Sequence, residues 1–452
     1  MLKQRFAPPR PPCPPAPPQG FALLRALRTN VLQIWPEAAY REAVQQQSFL
    51  GRKLITLNDA AAIHHVLVDN DDNYRRSPIR VRLLRPAIGD GLLLSEGRAW
   101  KLQRRTAAPA FSPRAVPLLS RHIAAAVGEA VAALPSEAHQ ADLLALVQRW
   151  AVEISARAMF SLDLGQSSVE LRRLSTWYVK RLGRPYLLDA LLPLGVPSPT
   201  DLARRRFSKV WMGLLERMIA TRLDAEPSET PRDLLDLLRL ARDPETGEGF
   251  SRANLRDQVA TMIVAGNETT SVAMFWSLFL LASAPDVQER VAEEVRAADL
   301  TPDRAAETLP RLTYTRAVLS EALRLYPPAF MLVREAIDAD DCGVAMVPKG
   351  ATVLIAPWLL QRHQGLWVDP DGFDPSRFLP GAPAPARFAY LPFGTGPRIC
   401  IGVQFATAMA TTVIASLLVR YRIELDCQVP VMPVCVTITT PDVAPKFRLF
   451  PR

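Results

Sequence analysis

The sequence is poor in the residues that build disulfide networks and metal clusters. It has five cysteines and five histidines among 452 residues. The number of cysteines is odd, no C-x-x-C pair occurs, and no two histidines have the H-E-x-x-H spacing of a zinc-binding helix. These absences argue against a disulfide framework and against a structural zinc site, and they are typical of a protein of the reducing cytoplasm.

An uninterrupted apolar run of about 20 residues, the length that crosses a bilayer, is also missing. The first residues do not form a signal peptide, because the segment from Pro8 to Pro18 contains eight prolines and favours extended polyproline II. We therefore expect residues 1–20 to be a proline-rich flexible arm and residues 21–452 to be one large domain. No transmembrane anchor is expected.

Acidic residues are scarce in the first quarter of the chain. Residues 1–114 contain 18 Lys plus Arg and 8 Asp plus Glu, a net +10, while the whole chain carries +9, so the remainder is about −1. A basic region of this kind suits an acidic protein partner, nucleic acid or anionic lipid. A solvated arginine-rich surface explains the charge equally well.

Hydrophobic residues are plentiful, at 49% of the chain, and allow a large core. Apolar residues at helical spacing predict helices over 116–134, 139–162 and 204–223. Short strands are predicted at 53–57, 351–355 and 434–438. The expected fold class is therefore mainly α with small β-sheets.

The most informative predicted helix begins after Ser251, a good N-cap, and ends near Ala284, before Pro285. It would be roughly 50 Å long. Its middle is apolar around nearly the whole circumference, as in a helix that runs through the centre of a protein. Polar or small residues interrupt that middle at Gly266, Asn267, Glu268, Thr269 and Thr270. Because buried polar groups are costly unless they are paired or used, this interruption predicts a functional site.

The strongest chemical signal lies near the C-terminus, in Phe393-Gly394-Thr395-Gly396-Pro397-Arg398-Ile399-Cys400-Ile401-Gly402. The segment matches F-x-x-G-x-R-x-C-x-G at every fixed position. A dinucleotide-binding G-x-G-x-x-G is excluded, because Ile399 stands at the third glycine position. A helix rich in alanine is predicted over about 402–420, and its positive end can stabilise a thiolate at Cys400.

This segment resembles the haem-binding loop of the cytochromes P450, the family with a cysteine thiolate as axial haem ligand. The resemblance implies haem b (iron protoporphyrin IX) as cofactor, with Cys400 as the metal ligand. It implies the cytochrome P450 fold for the haem-thiolate domain at residues 21–452. It also adds Phe393, Gly394 and Gly402 to the cofactor-binding residues.

Three further motifs resemble those of the family. Glu321-Ala322-Leu323-Arg324 is similar to its E-x-x-R, and Pro375-Ser376-Arg377-Phe378 to its P-x-R-F, which implies a buried charge triad of Glu321, Arg324 and Arg377. Trp100-Lys101-Leu102-Gln103-Arg104 resembles W-x-x-x-R. In that motif the tryptophan N–H and the guanidinium reach a haem propionate, and the family pattern adds Arg334 and Arg398 to the propionate ligands.

The interrupted helix resembles the oxygen-binding segment of the family over Ala265-Gly266-Asn267-Glu268-Thr269-Thr270. The resemblance places Ala265 among the catalytic residues and implies that Gly266 loosens the helix where dioxygen must fit. It implies that Thr269 hydrogen-bonds bound oxygen and that Glu268 connects it to a proton supply. A threonine hydroxyl that bonds back to a helix carbonyl is the structural alternative.

The implied function is a monooxygenase that inserts one atom of O2 into a C–H bond of a hydrophobic small molecule, such as a fatty acyl, terpenoid or aromatic compound. Pocket lining is expected from the loop 80–94 and from stretches 181–188 and 329–333. The residues predicted to contact substrate are Leu93, Met262, Ile263, Phe330, Met331 and Leu332.

Electrons from NAD(P)H are expected to arrive through a separate partner, because the chain ends about fifty residues after Cys400. A ferredoxin or flavodoxin with its reductase is the expected partner, and both carriers are acidic. By the resemblance, Arg98, Lys101, Arg104 and Arg105 lie on the proximal-side helix of the family, and the docking cations would be Arg98, Lys101 and Arg105. We expect a cytoplasmic monomer that does not bind nucleic acid. The alternatives are a peroxide-driven peroxygenase and a haem-based gas or redox sensor without turnover.

Overall fold

The computed structural model of the protein describes residues 6–49, 51–161, 166–186, 188–189, 192, 195–226, 228, 230–427 and 429–452, without the side chains of 166–168 and 180. Residues 1–5 of the predicted arm, and residue 187 of the predicted pocket stretch 181–188, lie outside the described residues.

Fifteen α-helices occur in the described ranges. They are α1 (Gly20–Thr29), α2 (Ala60–His64), α3 (Pro78–Ile88), α4 (Gly97–Ala107), α5 (Val116–Ala132), α6 (Leu143–Phe160), α7 (Gln166–Arg181), α8 (Pro199–Asp224), α9 (Leu234–Leu240), α10 (Arg252–Ser283), α11 (Pro285–Arg296), α12 (Ala305–Thr308), α13 (Thr313–Leu325), α14 (Pro357–Leu360) and α15 (Val403–Arg420).

Twelve short strands and several single-turn helical segments complete the regular structure of the described residues. The strands are β1 (Val44–Phe49), β2 (Arg52–Leu57), β3 (Tyr74–Arg76), β4 (His139–Ala141), β5 (Leu332–Ala336), β6 (Asp340–Asp341), β7 (Met346–Val347), β8 (Thr352–Ile355), β9 (Tyr421–Asp426), β10 (Pro433–Cys435), β11 (Thr439–Pro441) and β12 (Lys446–Pro451). The largest sheet has the order β1-β2-β8-β5-β3, the next has β4-β12-β9, and β6-β7 and β10-β11 are pairs. The mainly α class with small sheets is confirmed.

The two ends of the chain share the largest sheet, which makes the fold one domain. In this sheet β2 runs parallel to β8, with Leu54 opposite Thr352. β5 lies antiparallel to both β8 and β3. N-terminal and C-terminal strands therefore depend on each other for their backbone hydrogen bonds.

Helix α10 passes through the centre of the fold, as its apolar circumference predicts. The Ser251 side chain accepts a hydrogen bond from the Asn254 backbone N–H at 3.2 Å and caps the helix. Pro285 begins α11, which turns away from α10 by 113°. α10 packs against α6, α13 and α15, and α15 packs in turn against α5.

Among the described residues, α15 has the length and composition of a membrane span, and so has the bent α10–α11 pair if it is taken as one span. More than half of α15 is buried inside the protein, and α10 is buried without interruption over residues 270–281. Central helices of globular proteins have the same composition.

The proline-rich N-terminal segment differs from the predicted flexible arm over the part that the structure describes. Residues 6–19 contain no helix or strand, but they contact the domain. The Tyr326 hydroxyl donates to the Pro9 carbonyl at 2.8 Å, and the Phe373 N–H donates to the Phe6 carbonyl at 2.9 Å. Arg10 lies 3.3 Å from Glu37. The segment is docked because its carbonyls and its guanidinium have partners on the domain.

Three other predicted elements need correction. The predicted helix 139–162 is a strand at His139–Ala141 followed by α6, because Asp142 caps α6 at the Ala145 N–H. The predicted strand 434–438 is a hairpin of β10 and β11, in which Cys435 pairs with Thr439. The predicted loop 80–94 is helical up to Ile88, because Pro78 occupies the first turn of α3, where proline is favoured.

Candidate active site

The cysteine loop needs glycine at a specific point. Gly396 has φ +70°, and a Cβ there would lie 2.3 Å from the Leu67 carbonyl oxygen. Any side chain would therefore push the loop away from the segment that carries Leu67. The loop closes through the Cys400 backbone N–H, which donates to the Phe393 carbonyl at 2.9 Å. Cys400 is thus fixed just before α15.

The Cys400 thiol combines accessible surface with a close surrounding of protein. It keeps accessible surface, yet enough protein surrounds it that burial raises its pKa. The Gly402 backbone N–H and the Arg104 guanidinium act in the opposite direction and favour the thiolate. A thiol with raised pKa stays protonated by itself, whereas a coordinated metal ion deprotonates it outright.

The accessible part of α10 coincides with its polar interruption. Ala265, Gly266, Glu268 and Thr269 keep accessible surface although the helix is buried on both sides of them. The Thr269 hydroxyl donates to the Ala265 carbonyl at 2.6 Å, which is the back-bonded geometry. A Cβ at Gly266 would meet only Met159 Cε, at 3.9 Å. Packing therefore does not demand glycine at that position.

A small cavity lies between α10 and α8 on the side of Glu268. It has a volume of about 20 Å³ and is lined by Asn267, Glu268, Tyr178, Phe207 and Trp211, among others. The buried Asn267 Oδ1 has no hydrogen-bond partner among the described residues. Because one water molecule needs roughly 10–15 Å³ and two or more polar partners, a single water fits this cavity.

Four arginines form a cluster whose members repel each other. Arg76 on β3 stands directly opposite Arg334 on β5, an arrangement that destabilises a strand pair. Burial, Arg398 and Arg80 together lower the pKa of Arg334 to about 10. The pKa of Arg76 falls well below its usual value for the same reasons, and Glu96 only partly opposes this. The cluster therefore holds more positive charge than its own carboxylates offset.

The arginine cluster and the cysteine loop meet at α4. The Arg398 guanidinium lies 4.3 Å from the centre of the Trp100 ring and donates to the Ser95 carbonyl at 3.0 Å. Arg104, one turn after Trp100, is close enough to Cys400 to lower the pKa of its thiol. The structure thus brings the predicted residues Trp100, Arg104, Arg398 and Cys400 together.

These residues fit haem by the chemistry of their side chains. An accessible thiol surrounded by protein suits a metal ligand, and the guanidinium groups of Arg104, Arg334 and Arg398 suit the two carboxylates at the edge of the cofactor. Arg76 is absent from the residues predicted from sequence, whereas Arg80 begins the predicted pocket loop 80–94. The Arg75-Arg76 pair is visible in the sequence, but only the pairing of β3 with β5 sets Arg76 against Arg334.

The predicted charge triad is assembled in the core. Glu321 and Arg324 are both fully buried on α13 and make two hydrogen bonds of 2.7 Å. Arg377 approaches Glu321 to 3.5 Å. Arg324 also donates to the carbonyls of Gln361, Pro370 and Gly372, which tie α13 to the segment before the cysteine loop.

The predicted substrate residues divide into two groups. Leu93, Met331 and Leu332 keep accessible surface. Met262 and Ile263 on α10 are largely buried, at 8% and 4% exposure. Phe330 is 1% exposed and packs in the core, so it does not line a cavity in this structure.

The cations predicted to dock a partner are only partly free. Lys101 lies 3.6 Å from Asp72. Arg105 pairs with Asp243 at 2.8 Å and with Glu245 at 2.7 Å. Arg98 is exposed and makes no ion pair within the described part of the chain.

Comparisons with known proteins show the family of the chain. The family model described as Cytochrome P450 matches residues 11–444. The chain is 34% identical over 352 residues to the cyclooctatin synthase of Streptomyces melanosporofaciens, covering 75% of this chain and 74% of that protein. It is 29% identical over 374 residues to the pentalenene oxygenase of Streptomyces avermitilis, covering 82% of each.

A second protein of S. melanosporofaciens, cyclooctat-9-en-7-ol 5-monooxygenase, is 31% identical over 348 residues, with 75% of this chain and 74% of that protein covered. Among solved structures, the chain is similar to the haem domain of cytochrome P450DA. The TM-score is 0.81 at 25% identity, and the match covers 98% of this chain and 96% of that chain.

Proposed function

The chain belongs to the cytochrome P450 family and is an oxidoreductase, and we propose that it inserts one atom of O2 into a C–H bond of a hydrophobic small molecule. One observation carries this proposal. The Glu268–Thr269 pair interrupts an otherwise buried helix where the helix keeps accessible surface, and that helix packs on α15, which follows Cys400. Neither a redox sensor nor a peroxide-driven enzyme needs such a pair.

Bound haem would supply the iron chemistry that activates dioxygen, and the Cys400 thiolate would hold the iron. Arg104 and Trp100 on α4, together with Arg334 and Arg398, would hold its two propionates. Cofactor binding would neutralise positive charge in the arginine cluster. It would thereby stabilise the fold, because a ligand that binds only the native state stabilises that state.

Protons would reach the site beside Thr269 through α10. The hydroxyl hydrogen of Thr269 is used in the bond to the Ala265 carbonyl, so the oxygen lone pairs of Thr269 remain free to accept a hydrogen bond. The Glu268 carboxyl would carry the proton, and one water in the cavity beside Asn267 would relay it. Excess water would stay out because α10 is buried without interruption over residues 270–281.

Loss of the Thr269 hydroxyl should uncouple reductant consumption from product formation. Thr269→Ala should bind a Soret-shifting ligand normally and consume reductant, but release more peroxide and form less product per electron pair. Glu268→Gln keeps the shape and removes the charge, and should slow product formation by about 10²-fold or more, as general acid–base groups do. The measurement is the ratio of product to reductant consumed.

Two variants control this experiment. Thr269→Ser should restore coupling. Ser277→Ala removes a second back-bonded hydroxyl of α10, which donates to the Ala273 carbonyl at 2.8 Å in the buried part of the helix, and should leave coupling unchanged. If Thr269 had only a structural role, Thr269→Ala would instead lower the stability by about 1–3 kcal/mol and leave coupling unchanged. That result would favour the peroxide-driven or sensor alternatives.

We infer that the electrons come from a separate acidic carrier, a ferredoxin or flavodoxin supplied by NAD(P)H through its reductase. Support comes from α4, whose buried face contacts the cysteine loop through Trp100 and whose outer face carries Arg98, Lys101 and Arg105. Because carboxylates pair with Lys101 and Arg105, Arg98 is the most available of these cations.

Reversal of the charge at Arg98 should slow reduction by the carrier. We expect Arg98→Glu to lower the second-order rate constant about tenfold at low salt, within the range that electrostatic steering contributes. The difference from wild type should shrink as salt rises, since screening shortens to roughly 8 Å at physiological ionic strength. Stopped-flow reduction of the haem measures this. Arg448→Glu, the same charge change on β12, should leave the rate unaltered. Equal rates for both variants would disprove docking at α4.

A further inference from the structure

Arg80 is a cation for which the described structure provides no counter-ion. Its side chain extends from the first turn of α3 and donates one long hydrogen bond, of 3.4 Å, to the Met331 carbonyl. No carboxylate among the described residues forms an ion pair with it. Burial lowers its pKa and no neighbouring anion opposes the effect, yet the side chain retains accessible surface.

The other arginines of this region are supplied with anions. Glu96 and Asp71 raise the pKa of both Arg334 and Arg398 against the effect of burial. Glu96 also raises the pKa of Arg76 against the effect of burial. Its carboxylate accepts a hydrogen bond from the Arg76 backbone N–H at 2.6 Å. Arg82, two residues beyond Arg80, lies 3.6 Å from Asp201. A buried guanidinium without an anion lowers the stability of the folded protein. We therefore expect Arg80 to pair with an anion that does not belong to the chain.

The position of Arg80 indicates which kind of ligand brings that anion. Met331, its hydrogen-bond partner, precedes Leu332 at the start of β5, and both keep accessible apolar surface. After α3, Gly91 approaches α10 so closely that a Cβ there would lie 2.1 Å from Thr261 Oγ1. The segment from Arg80 to Gly91 therefore spans from the arginine cluster to the helix that carries Thr269.

We propose that Arg80 binds a carboxylate on the substrate, which makes the substrate a hydrophobic molecule with an acidic end. This rests on the proposed function and narrows its substrate class. The guanidinium fork matches a carboxylate in two parallel hydrogen bonds. The apolar part of the ligand would lie along Met331 and Leu332 and extend toward Thr269.

The same carboxylate chemistry has a second possible source in a haem propionate. Arg334 and Arg398 already provide cations for the propionates, and Arg398 stacks on Trp100 next to Arg104. Arg80 instead bonds to the 329–333 stretch. The two sources differ in what depends on Arg80, namely ligand affinity in one case and haem retention in the other.

The test compares ligands that differ only in the acidic group. The haem-loaded protein is titrated with dodecanoic acid, methyl dodecanoate and 1-dodecanol, and the Soret shift gives each Kd. The wild type should bind the acid more tightly than the ester or the alcohol. Arg80→Gln should weaken acid binding by about 10- to 100-fold, the usual effect of a lost charged hydrogen bond, and should leave the ester and the alcohol unchanged.

Matched variants complete the test. Arg80→Lys should retain part of the preference for the acid. Arg85→Gln, an exposed arginine of the same helix that pairs with Asp90 at 2.7 Å, should bind all three ligands as wild type does. Transfer of haem to apomyoglobin is measured in parallel, and Arg80→Gln should lose haem at the wild-type rate.

Two results would overturn the proposal. In one, wild type and Arg80→Gln both bind acid and alcohol with the same affinity. In the other, Arg80→Gln loses haem faster while its ligand preferences stay unchanged, which would assign Arg80 to a propionate. Neither result contradicts the monooxygenase proposal. That proposal has its own test and is wrong if Thr269→Ala leaves coupling unchanged.

Discussion

Cys400→Ser should abolish the red-shifted Soret band of the reduced carbonyl complex. The thiol keeps accessible surface, the Gly402 N–H and Arg104 favour its thiolate, and a serine hydroxyl cannot donate electron density as a thiolate does. We expect complete loss of the band and of monooxygenase turnover. The reduced-carbonyl difference spectrum measures the first effect, and product formation with reductant and O2 measures the second.

Two further variants separate ligation from folding. Cys400→His offers another axial ligand, so it should retain haem and show the carbonyl band at shorter wavelength. Cys427→Ser alters a thiol that donates to the Val429 carbonyl, away from the loop, and should keep the wild-type band. An unshifted band in Cys400→Ser would mean that a different residue holds the iron, and the assignment of the site would be wrong.

Local patterns explain how much of the fold could be predicted from sequence. Helix α10 was predictable within a residue at both ends, because Ser251 and Pro285 act on their immediate neighbours. The cysteine loop was equally predictable, since close backbone approach at Gly396 demands glycine. Strand β2 was visible as a short run of β-branched and leucine residues. Each of these signals lies within a few residues of the structure that it determines.

Features that depend on distant partners were not predictable. Docking of residues 6–10 depends on Tyr326, Phe373 and Glu37, which lie elsewhere in the chain. The cysteine-bearing hairpin β10–β11 resembles a single strand in sequence, because its turn lacks glycine. The opposition of Arg76 and Arg334 follows from strand pairing alone. A sequence motif reports which residue types are present, but not which charges face each other.

The arginine cluster illustrates how a site can cost stability until it is filled. Like charges opposite each other on β3 and β5 weaken the edge of the largest sheet. Two carboxylates from a cofactor would convert this repulsion into charge-assisted hydrogen bonds. The edge strand should therefore be more ordered when the cofactor is bound, in line with the general conflict between stability and function at binding sites.

Removal of the charge at Glu321 should destabilise the protein strongly. Glu321→Gln leaves the fully buried Arg324 guanidinium without its anion, and breaking one partner of a buried pair costs about 3–5 kcal/mol. This is a large share of the roughly 5–15 kcal/mol that stabilises a folded domain. Urea unfolding of the haem-loaded protein measures the loss, and the carbonyl spectrum reports whether the cysteine loop keeps its geometry.

The chain provides a matched control for this prediction in Arg304 and Glu307. They form an i,i+3 ion pair at 3.0 Å, like Arg324 and Glu321 in spacing, but both are more than half exposed. Because exposed pairs contribute about 0–1 kcal/mol, Glu307→Gln should change the unfolding free energy little. Equal losses of unfolding free energy for Glu321→Gln and Glu307→Gln would show that burial does not increase the contribution of the Glu321–Arg324 pair.

A double variant separates the stability of this pair from its geometric role. Glu321→Leu with Arg324→Met replaces both charges by apolar side chains of similar size, and such replacements of buried pairs are often neutral or stabilising. The same change removes the donors to Gln361, Pro370 and Gly372, and it leaves the Asp374 N–H without the carboxylate that accepts it at 2.8 Å. We therefore expect the double variant to unfold at a higher urea concentration than Glu321→Gln. It should nevertheless lose the red-shifted carbonyl band, because the segment that leads to the cysteine loop is no longer held in place. Recovery of both stability and the band would contradict a positioning role for the triad.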